Sequence, residues 1–96
     1  MLILRKLYED EQIIRYEYVP QDDIKNGKGE IAVNKLSSEV KEYSLSKLEI
    51  KKNILTYRNK SFLAILDFIE ENKFPIKYLY TFLTFYRRLF FMSKTC

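Results

Sequence analysis

No histidine occurs anywhere in the 96-residue chain, so the side chains able to move a proton near neutral pH are carboxylates alone. A histidine-free sequence lacks the commonest general base, the usual orienter of a serine or cysteine nucleophile and the commonest metal ligand. The carboxylates come in two clusters, Glu9-Asp10-Glu11 and Asp22-Asp23. Raising a carboxyl into working range for acid catalysis requires an apolar pocket. Three adjacent acids, or two in a loop, prefer water instead. Asp22, Asp23 and Glu30 lack the spacing of a calcium loop. Gly27 and Gly29 make only GKG, short of a phosphate-binding loop. The single cysteine, Cys96, has no second cysteine to bridge and builds no metal cage. The expectation is therefore a chain with no catalytic, cofactor-binding or metal residues, not an enzyme, and cytoplasmic, because MLILRKLYEDE has no signal-peptide pattern.

Charge divides unevenly. Residues 1–46 carry seven Lys/Arg and nine Asp/Glu, net −2, whereas residues 47–96 carry ten and four, net +6. A basic half attracts nucleic acid or an anionic membrane surface. Tyr8, Tyr16, Tyr18 and Tyr43, flanked by Arg15, Lys35 and Lys41, have the composition of a base-stacking sheet. The acidic balance of this half opposes a phosphate backbone, and Tyr16 and Tyr18 read better as core.

The elements that position these residues follow from periodicity. Residues 2–8, short and rich in branched side chains, and residues 12–19, which alternate with Ile14, Tyr16 and Tyr18 on one face, read as two strands around the acidic turn. Pro20 ends the second. Residues 21–29 form a loop, longer than a two-residue Asn26-Gly27 turn, because strict pairing would oppose Lys25 to Lys28. Residues 30–36 and 40–46 add two more strands, with Ile31 and Val33 facing in. Residues 53–72 have helical spacing, Leu55, Phe62, Ile65, Leu66 and Ile69 forming the main apolar line. Ile54, Tyr57, Ala64 and Phe68 offer a second, narrower surface. Asn53 is a plausible N-cap, as is Ser46 if the helix starts early.

Beyond Phe74-Pro75, residues 76–92 are aromatic-rich and uncharged between Lys77 and Arg87. Their length and lack of glycine favour a helix beginning near Pro75, too short and too charged to span a membrane. This segment has three readings: a second core helix, a patch that pairs with a protein, or a membrane-surface helix. The fold expected is α+β in one domain. Residues 1–46 form a three- to four-stranded antiparallel meander, 47–74 one long helix, and 75–96 the aromatic C-terminal segment, read as helical.

From YEYVP (residues 16–20) through GEIAVNKL (29–36) to ILDFIEENKFP (65–75), the order of pieces resembles small uncharacterised proteins of low-GC Gram-positive bacteria. In these a strand meander precedes one helix, and the match covers roughly residues 3–75. The resemblance implies a bacterial α+β protein and no activity. Together these readings point to a protein–protein interaction or regulatory module, with a protein partner or a second copy. The candidate surface is Tyr78, Phe82, Phe85, Tyr86, Phe90 and Phe91, rimmed by Arg87 and Arg88, since aromatics and arginine dominate interface energetics. The alternative is a peripheral membrane-surface or nucleic-acid binder acting through the basic C-terminal half. No small-molecule ligand is indicated.

Overall fold

A computed structural model describes residues 2–80. The chain is α+β: a five-stranded antiparallel sheet in the order β4-β3-β2-β1-β5, one face covered by the main helix. Strands β1 (Leu2–Glu9), β2 (Ile13–Pro20), β3 (Gly29–Asn34) and β4 (Val40–Ser44) form the meander that alternation predicts. Helices α1 (Lys47–Lys52) and α2 (Thr56–Glu71) follow, and β5 (Lys77–Tyr80) returns to pair antiparallel with β1.

Alternation places Ile14, Tyr16 and Tyr18 of β2 at zero exposure on the helix-covered face. Leu2 and Leu4 lie beside them on β1, and Ile31 and Val33 on β3, so three strands supply one continuous apolar floor. Ala64, Ile65 and Phe68 of α2 close it from above. Phe68 meets the rings of Tyr16 at 5.5 Å and Tyr78 at 4.8 Å, tilted and edge-on, the geometries aromatic quadrupoles favour.

The β1–β2 turn forms because Asp10 accepts from the Gln12 and Ile13 N–H groups at 2.8 and 2.7 Å through its Oδ1. The loop after Pro20 is indeed longer than a two-residue hairpin. A 3-10 turn at Ile24–Asn26 is capped by Asp23, and Gly27 follows at φ +79°, a conformation glycine adopts freely. Pro20 is the last residue of β2, opposite Leu2, where its missing N–H removes no interior ladder bond.

Three expectations are corrected. The helical segment is two helices, because Asn53 takes the left-handed conformation (φ 55°, ψ 49°) and closes α1 as its C-cap; Ser46 is the N-cap. The buried face of α2 runs through Ser61, Ala64, Ile65 and Phe68, whereas Phe62, Leu66 and Ile69 are only half-buried. The face against the sheet thus takes Ile65 from the main line and Ala64 and Phe68 from the narrower one, with Phe62, Ile69 and Tyr57 packed at its margins. Finally, the sheet has a fifth strand. Residues 77–80 are extended, not helical, since β1 offers an open edge and Lys77, Tyr78, Leu79 and Tyr80 pair with Arg5, Leu4, Ile3 and Leu2. The expected helix over residues 81–92 lies outside the described residues.

Candidate functional site

Each chemically capable cluster can now be placed. In the acidic turn, Glu9 and Asp10 are both held below the usual carboxylate range. For Glu9 the causes are the Lys6 and Lys35 ammonium groups. For Asp10 they are the Ile13 N–H, the Tyr8 hydroxyl and the Gln12 N–H. A carboxyl stabilised as its anion is a poor proton donor near neutral pH. The turn is structural chemistry.

On the sheet's other face, Arg15 binds both Glu30, at 3.4 Å, and Glu42. Together with Tyr43 and Ser44 these residues line a shallow depression. Its one arginine is already shared between two carboxylates, which leaves little net charge to hold an anion. Tyr16 and Tyr18 are core residues, so no row of exposed tyrosines crosses the sheet to stack bases. Tyr43 is accessible, but the Arg58 guanidinium lies 4.4 Å over its ring, and Tyr8 donates to Asp10. Among the described residues no group of three or more His, Cys, Asp or Glu is arranged to hold a metal.

The most concentrated polar chemistry lies where sequence reasoning placed none. Glu49 of α1 is fully buried, and its carboxylate accepts four hydrogen bonds. Through Oε1 it accepts from the Tyr18 hydroxyl at 2.6 Å, the Ser46 hydroxyl at 2.9 Å and the Ser46 N–H at 3.2 Å. Through Oε2 it accepts from the Arg58 N–H at 2.8 Å. Ser46 and Glu49 form a capping box on α1. Arg58 is the third residue of α2, whose own N-cap, Leu55, makes no side-chain hydrogen bond. One carboxylate therefore caps two successive helices, satisfying donors that a helix start leaves orphaned. The Tyr18 ring reaches it by passing over Gly29, where an added Cβ would sit 2.0 Å from the ring. Burial, and then the Glu49 carboxylate, push the Tyr18 phenol well above its ordinary range.

The signal for this cluster was in the sequence, as the Ser-x-x-Glu spacing of residues 46–49. Its chemistry is that of a joint: four donors converge on one carboxylate, and every Glu49 oxygen is engaged.

Of the predicted interaction residues, only Tyr78 is described. It lies half-buried on β5 with its ring against Phe68. Phe82, Phe85, Tyr86, Arg87, Arg88, Phe90 and Phe91 lie outside the described residues. Among the described residues β5 is an edge strand, paired to β1 on one side. Beside it Ile76 is exposed, and Leu7 and Leu79 are half-exposed. Leu7 is the extra residue of a bulge in β1, and the Lys6 N–H donates to the Ile76 carbonyl at 2.8 Å. The bulge in β1 therefore sits beside the start of β5. The opposite edge, β4, is blunted by a bulge at Lys41 between Val40 and Glu42.

The chain matches no protein-family model, no curated protein and no solved structure.

Proposed function

We propose that the chain is a non-catalytic protein–protein interaction or regulatory module, working through the β5 edge and the aromatic segment that follows it. The observation that carries this reading is the contrast between the two sheet edges. β4 has a bulge in its pairing with β3, whereas β5 pairs with β1 in unbroken register, and Ile76 and Leu79 are open to solvent. An edge that offers main-chain donors and acceptors beside exposed aliphatic side chains suits strand addition by a protein partner or a second copy. The polar clusters above support the non-catalytic part of the reading, since each is satisfied within the fold.

The test is light scattering of the full chain across a concentration series, beside Ile76→Ser/Leu79→Ser and Phe82→Ser/Phe90→Ser variants. Truncation after Pro75 is unsuitable, because it deletes a strand of the sheet. A concentration-dependent dimer, lost in both variants while circular dichroism is unchanged, is the expected result. A chain that stays monomeric at its highest soluble concentration, with residues 76–91 protected from proteolysis, makes the segment part of the core and defeats the reading.

A further inference from the structure

A different corner of the molecule combines unpaired cations with exposed aliphatic tips. In α1, Lys47, Ile50 and Lys51 stand at i, i+3 and i+4 and so share one face. That face is turned away from the buried Glu49. Ile50 is 66% exposed, and Lys47, Lys51 and Lys52 are all exposed. The 3-10 turn lies beside the start of this helix: a Cβ added at Gly27 would meet the Lys47 Cβ at 2.7 Å. That turn carries Lys25 and Ile24, the latter 73% exposed. Leu55, half-exposed, follows three residues after α1 as the N-cap of α2.

The charge balance of α1 is one-sided. Its only acid is Glu49, which is consumed internally. Lys25, Lys47, Lys51 and Lys52 form no ion pair among the described residues. Asp22 and Asp23 precede the turn, Asp23 as its cap accepting from the Lys25 N–H at 3.0 Å, so the four lysines outnumber the acids beside them two to one.

We infer that this corner docks on an anionic lipid surface, with Ile24, Ile50 and Leu55 entering the headgroup–acyl boundary and the four lysines among the headgroups. Aliphatic tips set in a ring of lysine are the chemistry of interfacial binding: each lysine gains from the negative surface and each tip from burial. Lysine is depleted at protein interfaces. A nucleic acid would use the lysines but would leave the aliphatic tips in water and wants aromatic faces to stack on, which α1 lacks. The site shares no residue with the β5 edge, so the two proposals stand or fall separately.

The test is co-sedimentation of the full chain with vesicles of phosphatidylcholine alone and of phosphatidylcholine with phosphatidylserine, over a salt series. Binding to the anionic vesicles at low salt, weakening as salt rises, is expected, with none to the neutral ones. Lys51→Gln/Lys52→Gln should weaken binding roughly 25-fold, about fivefold per lysine. Ile50→Ser should weaken it on the order of tenfold through lost apolar burial. Arg5→Gln/Lys73→Gln removes equal charge elsewhere and should change binding less than about twofold. Circular dichroism confirms that each variant is folded. No sedimentation at low salt overturns the inference, as does an equal loss in the Arg5/Lys73 variant or undiminished binding by Ile50→Ser. A shift on a single-stranded oligonucleotide that the lysine pair abolishes, without vesicle binding, overturns it in favour of nucleic acid.

Discussion

Tyr16 and Tyr18 stand two residues apart on one strand, point into one core and are equally buried, yet they fasten opposite ends of the helical layer. Tyr18 donates to the buried Glu49 carboxylate at the start of α1. Tyr16 donates at 2.6 Å to the Pro75 carbonyl, in the connection from α2 to β5. The first bond is charge-assisted and shares its acceptor with three other donors. The second is a neutral bond to a single carbonyl. A hydrogen bond to a charged partner contributes about twice as much as a neutral one. The entry to the helical layer is therefore held by a network and its exit by one bond plus packing on Phe68.

The severest way to break the contrast is at Gly29. Gly29→Ala puts a methyl group into the Tyr18 ring, which cannot withdraw without leaving Glu49, so a loss of about 3 kcal/mol or more is expected by urea denaturation. A double-mutant cycle with Tyr18→Ala should recover a large part of that loss if the ring is the cause.

Next comes Glu49→Ala. It strands the Tyr18, Ser46 and Arg58 donors, removes the α2 cap and half of the α1 capping box, and should cost roughly 3 kcal/mol. A cost below about 1 kcal/mol, the worth of a single surface cap, would show that the carboxylate is not shared as described.

The two phenylalanine substitutions test the comparison most directly. Tyr18→Phe should cost about 2 kcal/mol and Tyr16→Phe about 1 kcal/mol. Equal losses would mean that the carboxylate adds nothing over a carbonyl. Only the Tyr18 change should couple to Glu49→Gln.

Alkaline titration follows from the same pair. Burial raises both phenols, in Tyr18 with the added repulsion of Glu49 and in Tyr16 with that of Glu9. A group whose folded pKa is raised favours folding most below its unfolded value, here about 10, and that contribution is lost as pH climbs above it. Stability monitored by circular dichroism should hold through neutral pH and fall above about pH 10. The Tyr16→Phe/Tyr18→Phe protein, starting lower, should show a shallower fall.

The smallest effect belongs to the surface pairs. Lys35 bonds Glu9 at 3.1 Å and the Asp10 carbonyl at 2.8 Å, and lies 4.6 Å over the Phe74 ring. Lys35→Met should nonetheless lose less than about 1 kcal/mol, because such pairs are solvated and screened.

The meander was legible chiefly through β2, whose residues alternate strictly between buried and half-buried. With period two, a residue's face follows from its position, and Ile14, Tyr16, Tyr18, Ile31 and Val33 fall inward without reference to any neighbour. The α2 stripe was legible as helix but not in rotation. Leu55, Phe62, Ile65, Leu66 and Ile69 make the more apolar line, and of these only Ile65 is fully buried. Yet close approach to a sheet is governed by the small Ser61 and Ala64, whose value appears only against a surface. The break at Asn53 was hidden by the same continuity of apolar spacing, since a left-handed cap is a local choice that Asn permits but does not require.

Residues 77–80 show the limit most plainly. With two tyrosines and a leucine, the segment suits helix or strand by propensity, and strand preference is largely a matter of what lies alongside. The sequence by itself determined an antiparallel meander, the acidic turn, Ser46 as one of two candidate caps and the presence of a helix after them, because these rest on short-range geometry. The tertiary structure alone decided that β1 would have an open edge for β5. It also decided which face of α2 would be buried, and that a tyrosine 31 positions before Glu49 would complete a site from two helix starts. Those outcomes depend on partners distant in sequence, and local periodicity carries no information about them.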